Sequence, residues 1–283
     1  MPSVKELLYR TPEQPRQIRL DSTTACQAKC LSCHRSLTKR KGVMPKDLIL
    51  QILDDVSRWE KPLAEVVPVN YGEVFLYPGC ECLMIIISQK LPQTTMTLAT
   101  NGALLDEAVA MKISTIPTLR IINFSINAYY DETYEKFMGL KAEVIPQIRR
   151  IVTLLRILRP DIRQKVSMVF DPQYQDDMER DLFKNYWISY AEPWVLPAAS
   201  AGRGTIIKIP RVLPCRSIFS DFVIGFDGKL SSCCFDCSFA LDLGNYSDNV
   251  KKDWLNDKIE ELRRIHNEGR RTEIPLCSSC SFA

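Results

Sequence analysis

No run of apolar residues in this sequence approaches the roughly 18 needed to cross a bilayer. The longest candidate, Leu83 to Ile87, reads as a short core segment. The N-terminal stretch from Met1 to Arg16 mixes Lys5, Glu6, Arg10 and Glu13 with prolines and lacks the apolar stretch of an export signal. The chain is therefore expected in the cytoplasm, away from membranes. A dominant charge is missing too: 37 basic residues stand against 34 acidic ones, a net +3 spread along the chain. That balance gives no basis for a nucleic-acid partner, which needs a concentrated basic patch. Low-complexity tracts and internal repeats are also absent, and 46% hydrophobic with 25% charged residues is an ordinary globular composition. Cysteine, by contrast, is plentiful. Eleven thiols without an export signal fit poorly with disulfides, because the cytosol keeps thiols reduced. Metal or cluster ligation accounts for them better.

Short β-rich runs alternate with helical patterns over two thirds of the chain, which points to βα units around a parallel sheet. Strands are expected near Gln17–Asp21, Glu65–Asn70, Thr95–Thr100, Arg120–Ile126, Lys165–Phe170 and Trp194–Leu196. Helices are expected over Pro45–Trp59, Cys82–Lys90, Leu105–Ile113, Ala142–Leu158 and Asp176–Trp187. The small-residue segment Ala198 to Gly204 breaks the rhythm and marks a domain boundary, giving an N-terminal extension (1–16), a core (17–204) and an appendage (205–283). In the appendage, Ile218–Ile224 and Lys229–Ser232 flank Gly225-Phe226-Asp227-Gly228 as a β-hairpin with an Asp-Gly turn. Lys251–Asn267 then reads as one helix, with Gly269 as its stop and His266 on its surface.

After the first strand comes Cys26-Gln27-Ala28-Lys29-Cys30-Leu31-Ser32-Cys33, a C-x3-C-x2-C spacing. Three thiolates on one loop can ligate three corners of a cubane and leave the fourth iron open to a chelating amine and carboxylate. A zinc site needs four ligands in a closed tetrahedron. His34 adjoins Cys33 too closely in sequence to complete one with good geometry.

This triplet resembles that of the radical S-adenosylmethionine (SAM) superfamily, and further segments follow in the same order. Tyr71-Gly72-Glu73, at the second strand end, resembles the Gly-Glu motif that holds the methionine amine of SAM. Thr100-Asn101-Gly102 closes the third strand, and Ser125-Ile126-Asn127-Ala128 on the fourth resembles the polar motif facing the SAM ribose and substrate. In parallel βα architectures the strand carboxyl ends converge on one face, where such loops build one site. The resemblance implies a partial (β/α)6 TIM-type barrel, with Cys26, Cys30 and Cys33 on a 4Fe–4S cluster and Gly72, Glu73, Asn101, Ser125 and Asn127 on SAM. Ser32 departs from the family, which has an aromatic residue there.

Cys215, Cys233 and the terminal Cys277-Ser278-Ser279-Cys280 form a second set of four. Spacing alone leaves zinc and an iron–sulfur cluster open. With Gly228-Lys229-Leu230, Gly244-Asn245, Trp254 and Arg263, the run is similar to the auxiliary-cluster domain called Twitch, a truncated form of SPASM. That implies one auxiliary 4Fe–4S cluster in a small hairpin-plus-helix domain, and the nearest overall pattern is that of radical SAM aminocyclitol dehydrogenases. Cys80 and Cys82 read as packing thiols. Cys234 and Cys237 are candidate hydrogen-atom donors, and Arg203 a candidate substrate contact, although Ser200-Ala201-Gly202 stands where those dehydrogenases have Asn-Arg-Gly. Tyr129, Tyr130 and Tyr134 are pocket-lining or packing residues.

The expectation is an oxidoreductase. A deoxyadenosyl radical takes a hydrogen atom from a small carbohydrate- or aminocyclitol-like substrate, the auxiliary cluster takes the second electron, and flavodoxin or ferredoxin supplies the first. Epimerisation through Cys234 or Cys237, peptide modification and a zinc-binding structural protein are the alternatives.

Overall fold

The computed structural model of the chain describes residues 9–198 and 213–281. Six strands, β1 (Gln17–Leu20), β2 (Glu65–Val67), β3 (Thr95–Thr100), β4 (Leu119–Ser125), β5 (Arg163–Phe170) and β6 (Glu192–Pro197), lie in sequence order and pair in parallel. Helices α1 (Lys46–Ser57), α2 (Cys80–Lys90), α3 (Glu107–Ser114), α4 (Asp131–Met138), α5 (Val144–Leu158) and α6 (Asp177–Trp187) connect them. This is the expected partial (β/α)6 barrel. Period-two burial explains the strands: Ile18, Leu20, Met96, Leu98, Ile122, Phe124, Val166 and Met168 are all at most 1% exposed and pack under the helices. The helices answer with their own stripes. On α5, Ile148, Ile151, Val152 and Leu155 form a continuous buried face at helical spacing.

Helix α4 was not anticipated, because its eight residues follow so closely on the fourth strand that Asp131, Glu132, Glu135 and Lys136 obscure the pattern. Its buried face is Tyr134, Phe137 and Met138, and Gly139 ends it at φ 63°. That glycine lets the chain approach the cysteine loop closely: a Cβ there would lie 3.0 Å from Lys29 Cβ.

After the undescribed segment come β7 (Asp221–Ile224), β8 (Leu230–Ser231), α7 (Val250–Trp254), α8 (Asp257–Asn267) and α9 (Pro275–Ser278). The expected hairpin is present, closed by the Gly225 amide to the Lys229 carbonyl at 2.8 Å. It does not form a sheet of its own, however. β7 lies parallel to β1 and extends the barrel sheet, so its backbone satisfies what would otherwise be the exposed edge of β1. The expected helix over Lys251–Asn267 is two helices. Asn256 breaks it, capping the Ile259 amide at 3.0 Å and donating to the Leu243 and Asp253 carbonyls. The appendage is tied to the N-terminal extension and to the core at further points: Trp254 Nε1 donates to the Pro12 carbonyl at 2.8 Å, and the Val250 amide to Asp55 at 2.6 Å. The expected boundary at residue 204 falls outside the described residues. Among the described residues no helix is long and apolar enough to cross a membrane.

Candidate active site

The carboxyl ends of β1 to β4 carry the four expected motifs, and the structure brings three of them into contact. The cysteine loop runs from Cys26 to Cys33 and docks on the end of α4: the Lys29 and Leu31 amides donate to the Met138 and Phe137 carbonyls at 2.8 and 2.9 Å. Cys30 Sγ lies 3.5 Å from Met138 Sδ. The Glu73 amide donates to the Ala25 carbonyl, next to Cys26, at 2.8 Å. This contact explains why residue 72 is glycine. A Cβ there would sit 2.0 Å from the Thr23 carbonyl oxygen and 2.9 Å from that of Ala25, both backbone atoms with little freedom to yield.

Glu73 is 2% exposed. Its Oε1 accepts from Thr100 Oγ1 at 2.7 Å and its Oε2 from the Asn101 amide at 2.8 Å, with the Phe75 amide at 3.4 Å as a third donor. A carboxylate has about four lone-pair sites, so one remains for an ammonium. Burial raises the Glu73 pKa, and the three donors oppose that rise. Asn101 Nδ2 donates to Cys26 Sγ at 3.8 Å, while its Oδ1 accepts from Gln27 and the Ala103 amide, both at 3.0 Å. The second and third motifs thus clamp the first.

The fourth motif meets the cysteine loop through Met138. Ser125 ends β4 beside Ser167 of β5. Asn127 holds a left-handed backbone at φ 63° and is committed to structure: its Oδ1 accepts from the Val169 amide at 2.8 Å, its carbonyl from Gln175, and its Nδ2 lies 3.0 Å from Met138 Sδ.

In the appendage Cys215, Cys233, Cys277 and Cys280 line one enclosure, together with Ile218, Phe235, Leu241, Leu276 and Arg271. His266, expected on the surface, is instead 0% exposed, and its Nδ1 accepts from the Cys215 amide at 3.2 Å. The helix charge pattern hid this, because its exposed face carries the charges and His266 shares the opposite face with Ile259 and Leu262. Burial, helped by the Arg271 charge, lowers its pKa to about 4, so the ring is neutral at physiological pH.

Each thiol set lies together, the first on one loop and the second around one enclosure. Burial and the mutual proximity of the three thiols push Cys30 up to about 12, and Cys277 is likewise pushed up to about 12 by burial and by Cys215. Without a cation such sulfurs stay protonated at neutral pH; a bound iron centre is what makes them thiolates. Among the described residues no three His, Cys, Asp or Glu side chains are set to hold a single metal ion.

The two thiol sets are linked. Tyr71 Oη donates to the Cys234 carbonyl, beside Cys233, while its backbone adjoins Gly72. Cys237, 6% exposed, donates from Sγ to the His34 carbonyl at 3.0 Å, against the far end of the first cysteine loop. Tyr71 and Thr100 stand inside recognised motifs but carried no role in the sequence reading; Met138 and Arg271 had no sequence signal. Arg203 lies outside the described residues. Tyr129, Tyr130 and Tyr134 line a concavity of about 970 Å³ that is shared with Tyr186 and Trp187, and none of the cysteines lines it.

The profile of the Radical SAM superfamily matches residues 20–184, and that of the SPASM iron-sulfur cluster-binding domain matches residues 215–281. A curated relative, the S-adenosyl-L-methionine-dependent 2-deoxy-scyllo-inosamine dehydrogenase of Niallia circulans, is 22% identical over 272 residues, covering 93% of this chain and 92% of its own. The crystal structure of BtrN in complex with AdoMet and 2-DOIA is similar with a TM-score of 0.67 and 18% identity, over 94% of this chain and 92% of that one. Streptococcus suis SuiB bound to precursor peptide SuiA is similar with a TM-score of 0.67 and 11% identity, over 98% of this chain and 72% of that one.

Proposed function

This chain belongs to the radical SAM superfamily, and we propose that it is an oxidoreductase that withdraws two electrons from a small carbohydrate- or aminocyclitol-like molecule. The radical SAM domain implies SAM and a 4Fe–4S cluster, and the SPASM domain a further cluster. When bound, the first cluster and SAM supply a 5′-deoxyadenosyl radical that takes a hydrogen atom from carbon, and the auxiliary cluster supplies an acceptor for the electron left behind. The substrate then loses a proton from its hydroxyl and becomes a ketone.

The observation that carries this reading is the pairing of an incomplete thiol set with a complete one. Cys26, Cys30 and Cys33 are read as holding the first cluster by three corners. Glu73 keeps one acceptor site for the methionine amine, Gly72 lets its backbone reach the loop, and Asn101 steadies Cys26. Ser125 and Asn127 are read as lining the ribose side. Cys215, Cys233, Cys277 and Cys280 are read as closing every corner of the auxiliary cluster, which suits electron transfer rather than substrate ligation. The Tyr71 bridge keeps the two regions in register. Residues 17–204 are taken as the radical-generating part and 205–283 as the auxiliary part. A flavodoxin- or ferredoxin-type donor in the cytoplasm is the proposed source of the first electron. Mutual coverage above nine tenths with the curated dehydrogenase favours a small substrate over a peptide.

The test is an anaerobic incubation of reconstituted protein with dithionite, SAM and a panel of aminocyclitols, sugars and peptides. The expected result is 5′-deoxyadenosine with a product two mass units lighter. Absence of 5′-deoxyadenosine across the panel, with an intact first cluster, overturns the proposal. A product of unchanged composition that carries solvent deuterium replaces it with epimerisation through Cys234 or Cys237.

A further inference from the structure

Arg271 is 2% exposed, yet it lines the enclosure formed by Cys215, Cys233, Cys277 and Cys280. Its Nη1 is buried without a hydrogen-bond partner. Arg270 beside it pairs with Glu268 and Glu273 on the surface, but no carboxylate pairs with Arg271 among the described residues. The buried acid of this region, Asp236, is spent within its own loop on Ser231 and on the Ala240 and Leu241 amides, at 3.0, 2.7 and 3.2 Å. His266 on the other flank accepts from the Cys215 amide, and an imidazole offers no negative charge.

A guanidinium does not give up its proton in proteins, and a buried cation with no counter-charge is strongly destabilising. A cluster held in the enclosure would supply the missing anion. Four thiolates around an oxidised cubane leave a dianion, and reduction adds one more negative charge. A cation in the wall therefore stabilises the reduced form over the oxidised form and raises the potential.

We infer that Arg271 is the counter-charge of the auxiliary cluster and sets its reduction potential, so that the cluster can accept the electron of a substrate radical. Arg271 is thus a positioning residue that acts through the cluster. The inference rests on the proposed ligation by the four cysteines. Its test separates the two claims, because iron and sulfide content reports ligation while potential reports Arg271.

The experiment is an EPR-monitored redox titration of the full chain, reconstituted anaerobically, as wild type, Arg271→Gln and Arg271→Lys. The auxiliary signal is isolated in a Cys26→Ala, Cys30→Ala, Cys33→Ala background. Arg271→Gln is expected to lower the reduced-to-oxidised ratio at fixed potential at least about tenfold, a fall of about 59 mV for a one-electron couple, and Arg271→Lys to recover most of it. A Gln variant that keeps its iron and titrates with wild type overturns the inference. Should the Gln variant fail to assemble its cluster, the Lys variant decides: assembly near the wild-type potential supports a charge role, and failure to assemble shows that guanidinium shape matters instead. A wild-type protein with no second cluster overturns the ligation and leaves the first site untouched.

Discussion

Cys26, Cys30 and Cys33 come from one stretch of eight residues, whereas Cys215, Cys233, Cys277 and Cys280 are drawn from three stretches and meet only through the fold. The first set is bordered by polar groups that keep capacity for a ligand, Glu73 and Asn101. The second is walled by Ile218, Phe235, Leu241 and Leu276 with one cation, Arg271. A local, polar-edged set suits a centre that must exchange a small molecule; a dispersed, apolar-walled set suits one that only changes charge. The difference teaches that what borders the sulfurs points the same way as the proposed ligand count.

The comparison breaks most sharply under cysteine replacement. Cys30→Ala is expected to cut 5′-deoxyadenosine formation on the order of a thousandfold, while Cys280→Ala leaves that product within a few-fold of wild type and abolishes substrate oxidation. Liquid chromatography of both products reads this directly, and equal losses in the two variants would erase the division of labour.

Gly72→Ala is the next largest effect and acts on the first site alone. The added methyl meets the Thr23 carbonyl at 2.0 Å, so the backbone carrying Glu73 must shift. Overpacking of this kind costs about 1–3 kcal/mol, and SAM affinity is expected to fall about tenfold or more. Equilibrium binding of SAM to the reconstituted protein checks it; the auxiliary cluster's EPR signal should not change.

The smallest effect lies at the seam. Asp21 is 1% exposed, its amide donates to the Ile224 carbonyl of β7 at 2.9 Å and its Oδ1 accepts from the Tyr71 amide at 3.2 Å. Burial raises its pKa from 3.8 to about 6. The folded state therefore holds a proton that the unfolded state has lost, and this contribution is full below the unfolded value and fades as pH rises through about 6. Wild type is expected to lose about 1.4 kcal/mol between about pH 5 and about pH 7.5 relative to Asp21→Asn, whose side chain does not titrate. Anaerobic urea midpoints across that range measure it, and parallel curves for the two proteins would remove Asp21 from the seam's energetics.

The barrel was legible because βα units carry their own signals: period-two burial in Ile18 and Leu20, helical stripes such as Ile148 to Leu155, and motif residues at strand ends. Helix α4 was not, since half of its eight residues are charged and its three buried side chains gain meaning only against the cysteine loop. His266 misled for a related reason. A charged helix says which residues face water, and its remaining face can pack against anything the fold brings near.

By itself the sequence determined the order of the strands and the local cysteine triplet, because neighbours along the chain stay neighbours in space, while Gly72 and Glu73 stood out only through the motif resemblance. Only the tertiary structure decided that β7 completes the sheet beside β1, that His266 and Arg271 flank the second thiol set, and that Tyr71 joins the two regions. Those contacts span separations along the chain that no spacing rule encodes. They arise because burying the appendage's apolar face against the barrel brings segments distant in the chain together.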